Sequence, residues 1–385
     1  MFPSLSFSTS QQVVNRPYQE TSSRVSGSEI ISSNSKTSYN GNYGLNASWT
    51  LYNGNKRLKT IQQEKLNNQV AELDVATSEN NIQESIAQVY IQILYAAESV
   101  KVNESTLQVS IAQRDRGQEL LNAGSIAKSD FAQLEAQVST DRYQLVTAQA
   151  TLEDYKLQLK QLLELDGENE MNVYLPALSD ENVLAPLPTK KDVYISALSL
   201  RPEIEASKLN VEASELGIGI AKSSYLPTIS LSAGIGTNHT SGSDFTFGEQ
   251  VKNGWNNSIG LSVSVPIFNN RQTKSAVQKA KLQYETSMLS LLDEQKTLYK
   301  TIEGLWLDAN SAQQRYAAAN EKLKSTQISY ELISEQFNLG MKNTIELLTE
   351  KNNLLQAQQE QLQAKYMAIL NTQLLKFYQG DQLAL

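Results

Sequence analysis

The chain has 385 residues, 40% of them apolar, with a net charge of −8 and a pI near 5.0. That acidic balance argues against nucleic-acid binding, which wants a basic face, and the absence of cysteine excludes disulfides, thiol nucleophiles and Cys-ligated zinc. With a single histidine, His239, there is no His-based triad or HExxH zinc helix. No run reaches the ~18–20 apolar residues of a transmembrane helix, which leaves the diluted, alternating strands of a β-barrel open.

The opening Met1-Phe2-Pro3-Ser4-Leu5 carries no basic or apolar leader, so no signal peptide is visible. A period-two run then begins at Leu5, Phe7 and Thr9, with Ser4, Ser6, Ser8 and Ser10 between them. After a polar loop from Gln11 to Asn42 comes a second such run, Tyr43, Leu45, Ala47, Trp49 and Leu51. Residues 55–124 hold no proline and are rich in Ala, Gln, Glu, Lys and Leu, which predicts one uninterrupted helix. A glycine turn at Gly124 and a returning helix from Ser129 to about Leu165 follow.

The pattern then starts again. A helix is expected from Asp192 to Ser224, and strands at Ile229, Leu231, Ala233 and Ile235 and at Ile259, Leu261, Val263, Val265 and Ile267. The polar loop between those strands runs from Thr237 to Asn257 and contains His239, read as solvated. A second proline-free helix covers residues 271–340, and after Gly340 a last helix runs from Asn343 to about Tyr378. There Leu348, Leu355, Leu362 and Ile369 recur every seven residues, a coiled-coil seam. Across all four strands the interleaved residues are almost entirely Ser, Asn, Thr and Gly. Soluble strands put charge on their wet face; small neutral residues suit the inside of a pore.

The two halves match. Leu51-Tyr52-Asn53-Gly54 parallels Ile267-Phe268-Asn269-Asn270, and Leu121-Asn122-Ala123-Gly124 parallels Phe337-Asn338-Leu339-Gly340, at one common offset of 216 residues. The repeated unit is a strand hairpin, a long helix, a glycine turn and a returning helix. A helix of about 69 residues is ~100 Å long, and a polar helix of that length is stable only within a coiled or barrel array. Four strands are too few to close a pore, whereas three chains supply twelve, and closure removes the open edges that lipid does not tolerate.

With Arg201-Pro202-Glu203-Ile204 opening a helix, Tyr225-Leu226-Pro227-Thr228-Ile229 entering a strand, Val265-Pro266-Ile267-Phe268-Asn269 leaving one, and the two glycine turns, the chain resembles the TolC-like outer-membrane efflux proteins. The resemblance implies a mainly α fold with a membrane β-barrel. Long antiparallel coiled-coil helices would form a periplasmic α-barrel, and two β-hairpins per chain would contribute to a trimeric twelve-stranded barrel. Residues 1–54 would be the first β-hairpin, 55–165 the first helical hairpin, 166–191 an equatorial region, 192–225 the helix leading to the second hairpin, 226–270 that hairpin, and 271–385 the second helical hairpin and C-terminal end. It also implies an exit duct of a tripartite efflux or type I secretion system, without enzymatic activity or cofactor. Its partners would be further copies of itself, a periplasmic adaptor, an inner-membrane pump and outer-membrane lipid. Because the helix matching residues 192–224 has no counterpart before Pro3, the chain is expected to be an N-terminal truncation.

The same resemblance places a periplasmic gate at Lys342, reaching Ser129 and Asp130, with Glu346 narrowing the opening. Phe337 stands where the family often has Tyr, and Thr349 where it has a second acid. Gly124, Ser125, Gly340 and Met341 would form the turns that meet the adaptor. Solvated charges on helix ends are the alternative for the gate residues. Trp49, Tyr43 and Trp255 fit either an interfacial aromatic girdle or ordinary packing. Gly217-Ile218-Gly219 lies inside a helical pattern with no strand before it, so a nucleotide loop is set aside. The N-x-S/T triplets at Asn46, Asn238 and Asn256 are common by chance. A trimeric coiled-coil adhesin or scaffold is the competing function, but an adhesin would gather its strands at the C-terminus.

Overall fold

The computed structural model describes residues 2–18, 22–26, 29–33, 36–165, 171–176, 183–243 and 245–383. In chain order its elements are β1 (Ser4–Asn15), β2 (Ser22–Ser26), β3 (Glu29–Ser33), β4 (Thr37–Asn53), α1 (Lys56–Asn122), α2 (Lys128–Leu162), α3 (Lys190–Leu200), α4 (Pro202–Lys222), β5 (Thr228–Thr240), α5 (Phe247–Asn253), β6 (Asn256–Ser264), α6 (Gln272–Asn338) and α7 (Thr344–Gln379). Among the described residues no helix is long and apolar enough to cross a membrane. The chain divides into two compact units, Met1–Asn68 with Leu209–Leu289, and Gln69–Lys208 with Ser290–Leu385.

The first unit is built on one antiparallel sheet of order β1-β4-β5-β6, which joins the two expected hairpins edge to edge through β4 and β5. Its register puts Phe7, Leu45 and Ile235 in one row and Leu5, Ala47, Ala233 and Ile259 in the next. Leu231 lies between Trp49 and Leu261. Alternation sends Ser4, Ser6, Ser8, Asn46, Ser48, Ser230, Ser232 and Ser262 to the opposite face, without a charged residue. That face is laced by small hydrogen bonds, such as Ser4 Oγ with Ser48 Oγ at 2.7 Å.

Several expectations shift here. The register slips between Thr50 and Tyr52, so that Tyr52 and not Leu51 stands opposite Ile229. β6 stops at Ser264, and Val265 and Ile267 lie beyond it, because Pro266 lacks an N–H to continue the ladder. The presumed loop 11–42 is largely strand: β1 and β4 stay paired as far as Asn15 and Thr37, with β2 and β3 pairing between them. In the second loop, β5 runs on to Thr240, and α5 opens on a Thr246–Glu249 capping box.

His239 is therefore on a strand, not in a solvated loop. Its ring packs against Tyr39, Tyr43 and Phe247, with centroids 5.4, 5.8 and 5.1 Å away. It lies over Gly41, where a Cβ would come within 2.1 Å of His239 Cε1. Gly217 and Gly219 sit inside α4, and a Cβ on Gly219 would come within 2.7 Å of Lys59 Nζ.

Strand passes to helix through the same turn in both halves. Gly54 and Asn55 have φ of +66° and +64°, and their repeat partners Asn270 and Arg271 have +52° and +61°. Two successive left-handed residues swing the chain from the sheet into the long helix. Gly54 cannot be replaced cheaply, since a Cβ there would come within 2.6 Å of Ser223 O.

The second unit holds most of the helical hairpins, whose long helices begin in the first. α1 and α6 are 67 residues each, about 100 Å, and α2 and α7 are 35 and 36. The expected helix 192–224 is broken at Arg201, whose ψ of 123° is extended, because the residue before a proline avoids the helical region. Pro202 then begins α4 at the position where its missing N–H costs nothing. The buried Arg201 guanidinium reaches Glu203 at 2.9 Å and Glu84 at 3.0 Å, and lies 4.1 Å over the Tyr378 ring. Ile204, Val193, Ile302 and Leu375 form the core beside it. Burial, aided by Glu84, pushes the Tyr378 hydroxyl up to about 12. The described parts of the 166–191 stretch hold no helix or strand before Lys190, while 166–170 and 177–182 lie outside the described residues. Its backbone is held by α6: Gln313 Nε2 donates to Val183 O and Ala185 O at 2.9 and 2.8 Å, and Trp306 Nε1 to Pro188 O at 3.0 Å.

Candidate functional site

The two helical turns are the same structure written twice. In the first, Gly124 N–H donates to Leu121 O and Ser125 N–H to Leu120 O; in the second, Gly340 N–H donates to Phe337 O and Met341 N–H to Gln336 O, all at 2.8–3.0 Å. This is the double bond of a Schellman cap, which needs a left-handed residue. Gly124 and Gly340 supply it with φ of +72° and +73°. Replacing either by alanine costs about 1 kcal/mol through that φ alone, because a Cβ would meet nothing there; denaturant unfolding of the Gly340→Ala variant checks the figure.

Beyond the turns the halves differ. α7 opens on a complete capping box: Glu346 N–H donates to Asn343 Oδ1 at 2.9 Å, and Asn343 N–H donates to Glu346 Oε2 at 3.2 Å. α2 has half of one, with Ala127 N–H donating to Asp130 Oδ2 at 3.3 Å and no side chain at Ala127 to answer it. Lys342 Nζ pairs with Glu346 Oε1 at 2.6 Å, both partners half-buried. Within one chain, then, Lys342 is engaged by Glu346 and not by Ser129 or Asp130, and Ser129 is exposed. Ser125, Leu339, Met341 and Ile345 are exposed around the turns.

The hydrogen bond from Lys342, followed by that from Asn343 N–H, holds the Glu346 carboxyl below its usual 4.5. A carboxylate depressed in the folded state stabilises above its ordinary pKa and loses that contribution as pH falls through the lower, folded value. Amide protection in the first turn of α7 is therefore expected to drop as pH falls below about 4.5. Glu346→Gln removes that dependence, as hydrogen exchange resolved by residue reports.

Directly behind the turns, Leu134, Phe337 and Leu347 make a buried plug that joins the two helical hairpins. α1 and α2 approach so closely there that a Cβ on Gly117 would come within 2.3 Å of Leu134 Cδ1. Further along is a feature that sequence reading missed. Lys351 and Asp141 are 3% and 1% exposed and form an ion pair, with the buried Ser110 hydroxyl bonded to both. Gln137 Nε2 adds a bond to Asp141 Oδ1 at 2.9 Å. Burial pulls the Lys351 ammonium below the ordinary lysine range, and Asp141 pulls the other way. The group ties α7 to both helices of the first hairpin. A signal for it existed, since Lys351 falls three residues after Leu348, at a core position of the heptad.

Two copies of a strand hairpin, a 67-residue helix, a glycine turn and a returning helix define a tandem-repeat protein in which each repeat supplies both strands of the sheet and a helical hairpin. The chain belongs to the outer membrane efflux protein family, whose model matches residues 1–164 and 193–380. It is similar to the outer membrane efflux protein BepC of Brucella suis biovar 1, with 24% identity over 76% of this chain and 61% of that one. Against the outer membrane protein TolC of Escherichia coli K12 the identity is 23%, over 78% of this chain and 62% of TolC. The chain thus spans about three fifths of the length of these two relatives. Its fold matches that of CusC in a crystal structure, with a TM-score of 0.79 at 19% identity over 99% of this chain and 84% of that one.

Proposed function

We propose that three copies of this chain form an exit duct in the bacterial outer membrane. The duct passively conducts substrates from a periplasmic adaptor and inner-membrane pump to the exterior. The observation that carries the reading is the sheet. One face shows Leu5, Phe7, Ile259, Leu261 and Val263 exposed, and the opposite positions through the middle of the sheet are Ser, Asn, Thr and Gly. A soluble domain would cover such an aliphatic face; a barrel turns it to lipid and its small polar face to water. β1 and β6 are the free edges of the sheet, and three copies close them into twelve strands. Tyr43 and Trp49 stand on the aliphatic face six residues apart, about 20 Å along the strand, a spacing that suits two levels of an aromatic girdle. In the helical part, Val75, Ile82, Leu289 and Leu292 are exposed on α1 and α6, as expected of helices whose neighbours come from other copies.

The turns at Gly124, Ser125, Gly340 and Met341 are the adaptor-facing end in this reading, and Ser129, Asp130, Lys342 and Glu346 the gate. Glu346 supplies one carboxylate per chain, because Thr349 offers none. Lysine lacks the planar, two-pronged pairing of arginine, so the latch is weak. Lys342→Glu places a like charge near Asp130 and Glu346 and is expected to raise single-channel conductance. Glu346→Gln is expected to weaken cation preference. Unchanged conductance and selectivity in both variants, in assembled trimers, would remove these residues from the gate.

A further inference from the structure

The 216-residue repeat places a groove at the same height on each helical hairpin. On the first it is lined by Ala96, Ser99 and Asn103 of α1 and Gln144 and Ala148 of α2, with a volume of about 370 Å³. On the second it is lined by Ala312, Arg315 and Ala319 of α6 and Glu360 and Ala364 of α7, with a volume of about 520 Å³. Each of these five residues is the repeat partner of its counterpart. The difference is what else reaches the groove. The first also receives Gln359, which belongs to α7 of the other hairpin. The second receives no residue of the first hairpin.

The repeat names the residue that would fill that place. Gln359 minus 216 is Tyr143, on α2, at the rim of its own groove and 74% exposed. An exposed tyrosine on a helical stripe with Val146, also exposed, is a large apolar surface left uncovered by the described residues. The surfaces on either side agree. Further along the first hairpin, Ile91 is 2% exposed in a cluster with Tyr366 and Leu370 of α7, whereas its repeat partner Leu307 on α6 is 50% exposed. At the groove the first hairpin is thus covered by α7 of the same chain, whereas the second is met by Val183 beside Ala312 and Ala364 and, among the described residues, by no helix of the first hairpin.

We infer that the groove between α6 and α7 is the seat for Tyr143 of a second copy, whose α2 lies on this chain's second hairpin as α7 lies on its first. The inference rests on the trimeric reading above and adds to it the knob, the hole and the register of the contact between copies. That contact is quasi-equivalent, not identical. The buried Lys351–Asp141–Ser110 group maps onto Glu135, Ala357 and Thr326, so the between-copy contact has no buried ion pair at that level.

The chain has no cysteine, which makes cross-linking a clean test. Tyr143→Cys with Arg315→Cys, treated with a short bis-maleimide, is expected to give bands of two and three linked chains on a denaturing gel. The repeat-equivalent pair Gln359→Cys with Ser99→Cys is expected to link only within one chain. If light scattering shows trimers in which the second pair links and the first does not, the seat is wrong and the duct reading stands. If the chain stays monomeric, both fall. In the cysteine-free chain, Tyr143→Ala is expected to shift the monomer–trimer midpoint by about tenfold, as truncating a central aromatic anchor does. Tyr174→Ala, at a position 79% exposed and outside the groove, is expected to leave the midpoint in place. Equal midpoints for the two variants would overturn the inference.

Discussion

Lys351→Met destabilises the folded chain by about 3–5 kcal/mol, the usual cost of breaking a buried ion pair from one side. The reason is what remains. Asp141 is 1% exposed and would be left with only Ser110 and Gln137 as partners. The cost is mainly the desolvation of the stranded carboxylate, not the worth of the pair. Lys351→Met combined with Asp141→Leu and Ser110→Ala therefore recovers most of the loss, since apolar replacements of similar volume are often neutral or better. Denaturant unfolding in detergent measures both variants. A triple variant as unstable as the single one would show that the group contributes more than charge compensation.

Leu261→Lys costs about 2–4 kcal/mol if the residue lies near mid-membrane, and less near an interface. Leu261 is 66% exposed, stands opposite Leu231, and sits near the middle of β6 on the aliphatic face. The next residue supplies the control. Ser262 points to the polar face opposite Ser230, so Ser262→Lys places the same charge toward water and is expected to insert and assemble normally. Equal recovery of both variants in the outer-membrane fraction would invert or abolish the assignment of faces.

The repeat, the long helices and the glycine turns were legible because each rests on local chemistry. The absence of proline runs through the whole of α1 and α6, and Gly124 and Gly340 are where a helix must turn through a left-handed residue. Element ends were less legible where neighbours decide them. β1 and β4 stay paired to Asn15 and Thr37 because each supplies the other's ladder, which polar loop composition does not reveal. His239 looked solvated because its company, Tyr39, Tyr43 and Phe247, comes from other elements. The break at Arg201 was written in Pro202 and was overridden by the helical pattern around it. The buried Lys351 group was half visible: one heptad position showed it, and the partners Ser110 and Asp141 lie more than 200 residues away.

The proposed duct requires strands from three chains to assemble into one closed pore. Purified protein reconstituted into planar lipid bilayers, with its mass measured by light scattering in detergent, tests this. The expected result is a species of three chains that gives discrete conductance steps, lost when Leu261 is replaced by lysine and kept when Ser262 is. A monomeric species that gives no steps under conditions where the helices are folded would contradict it.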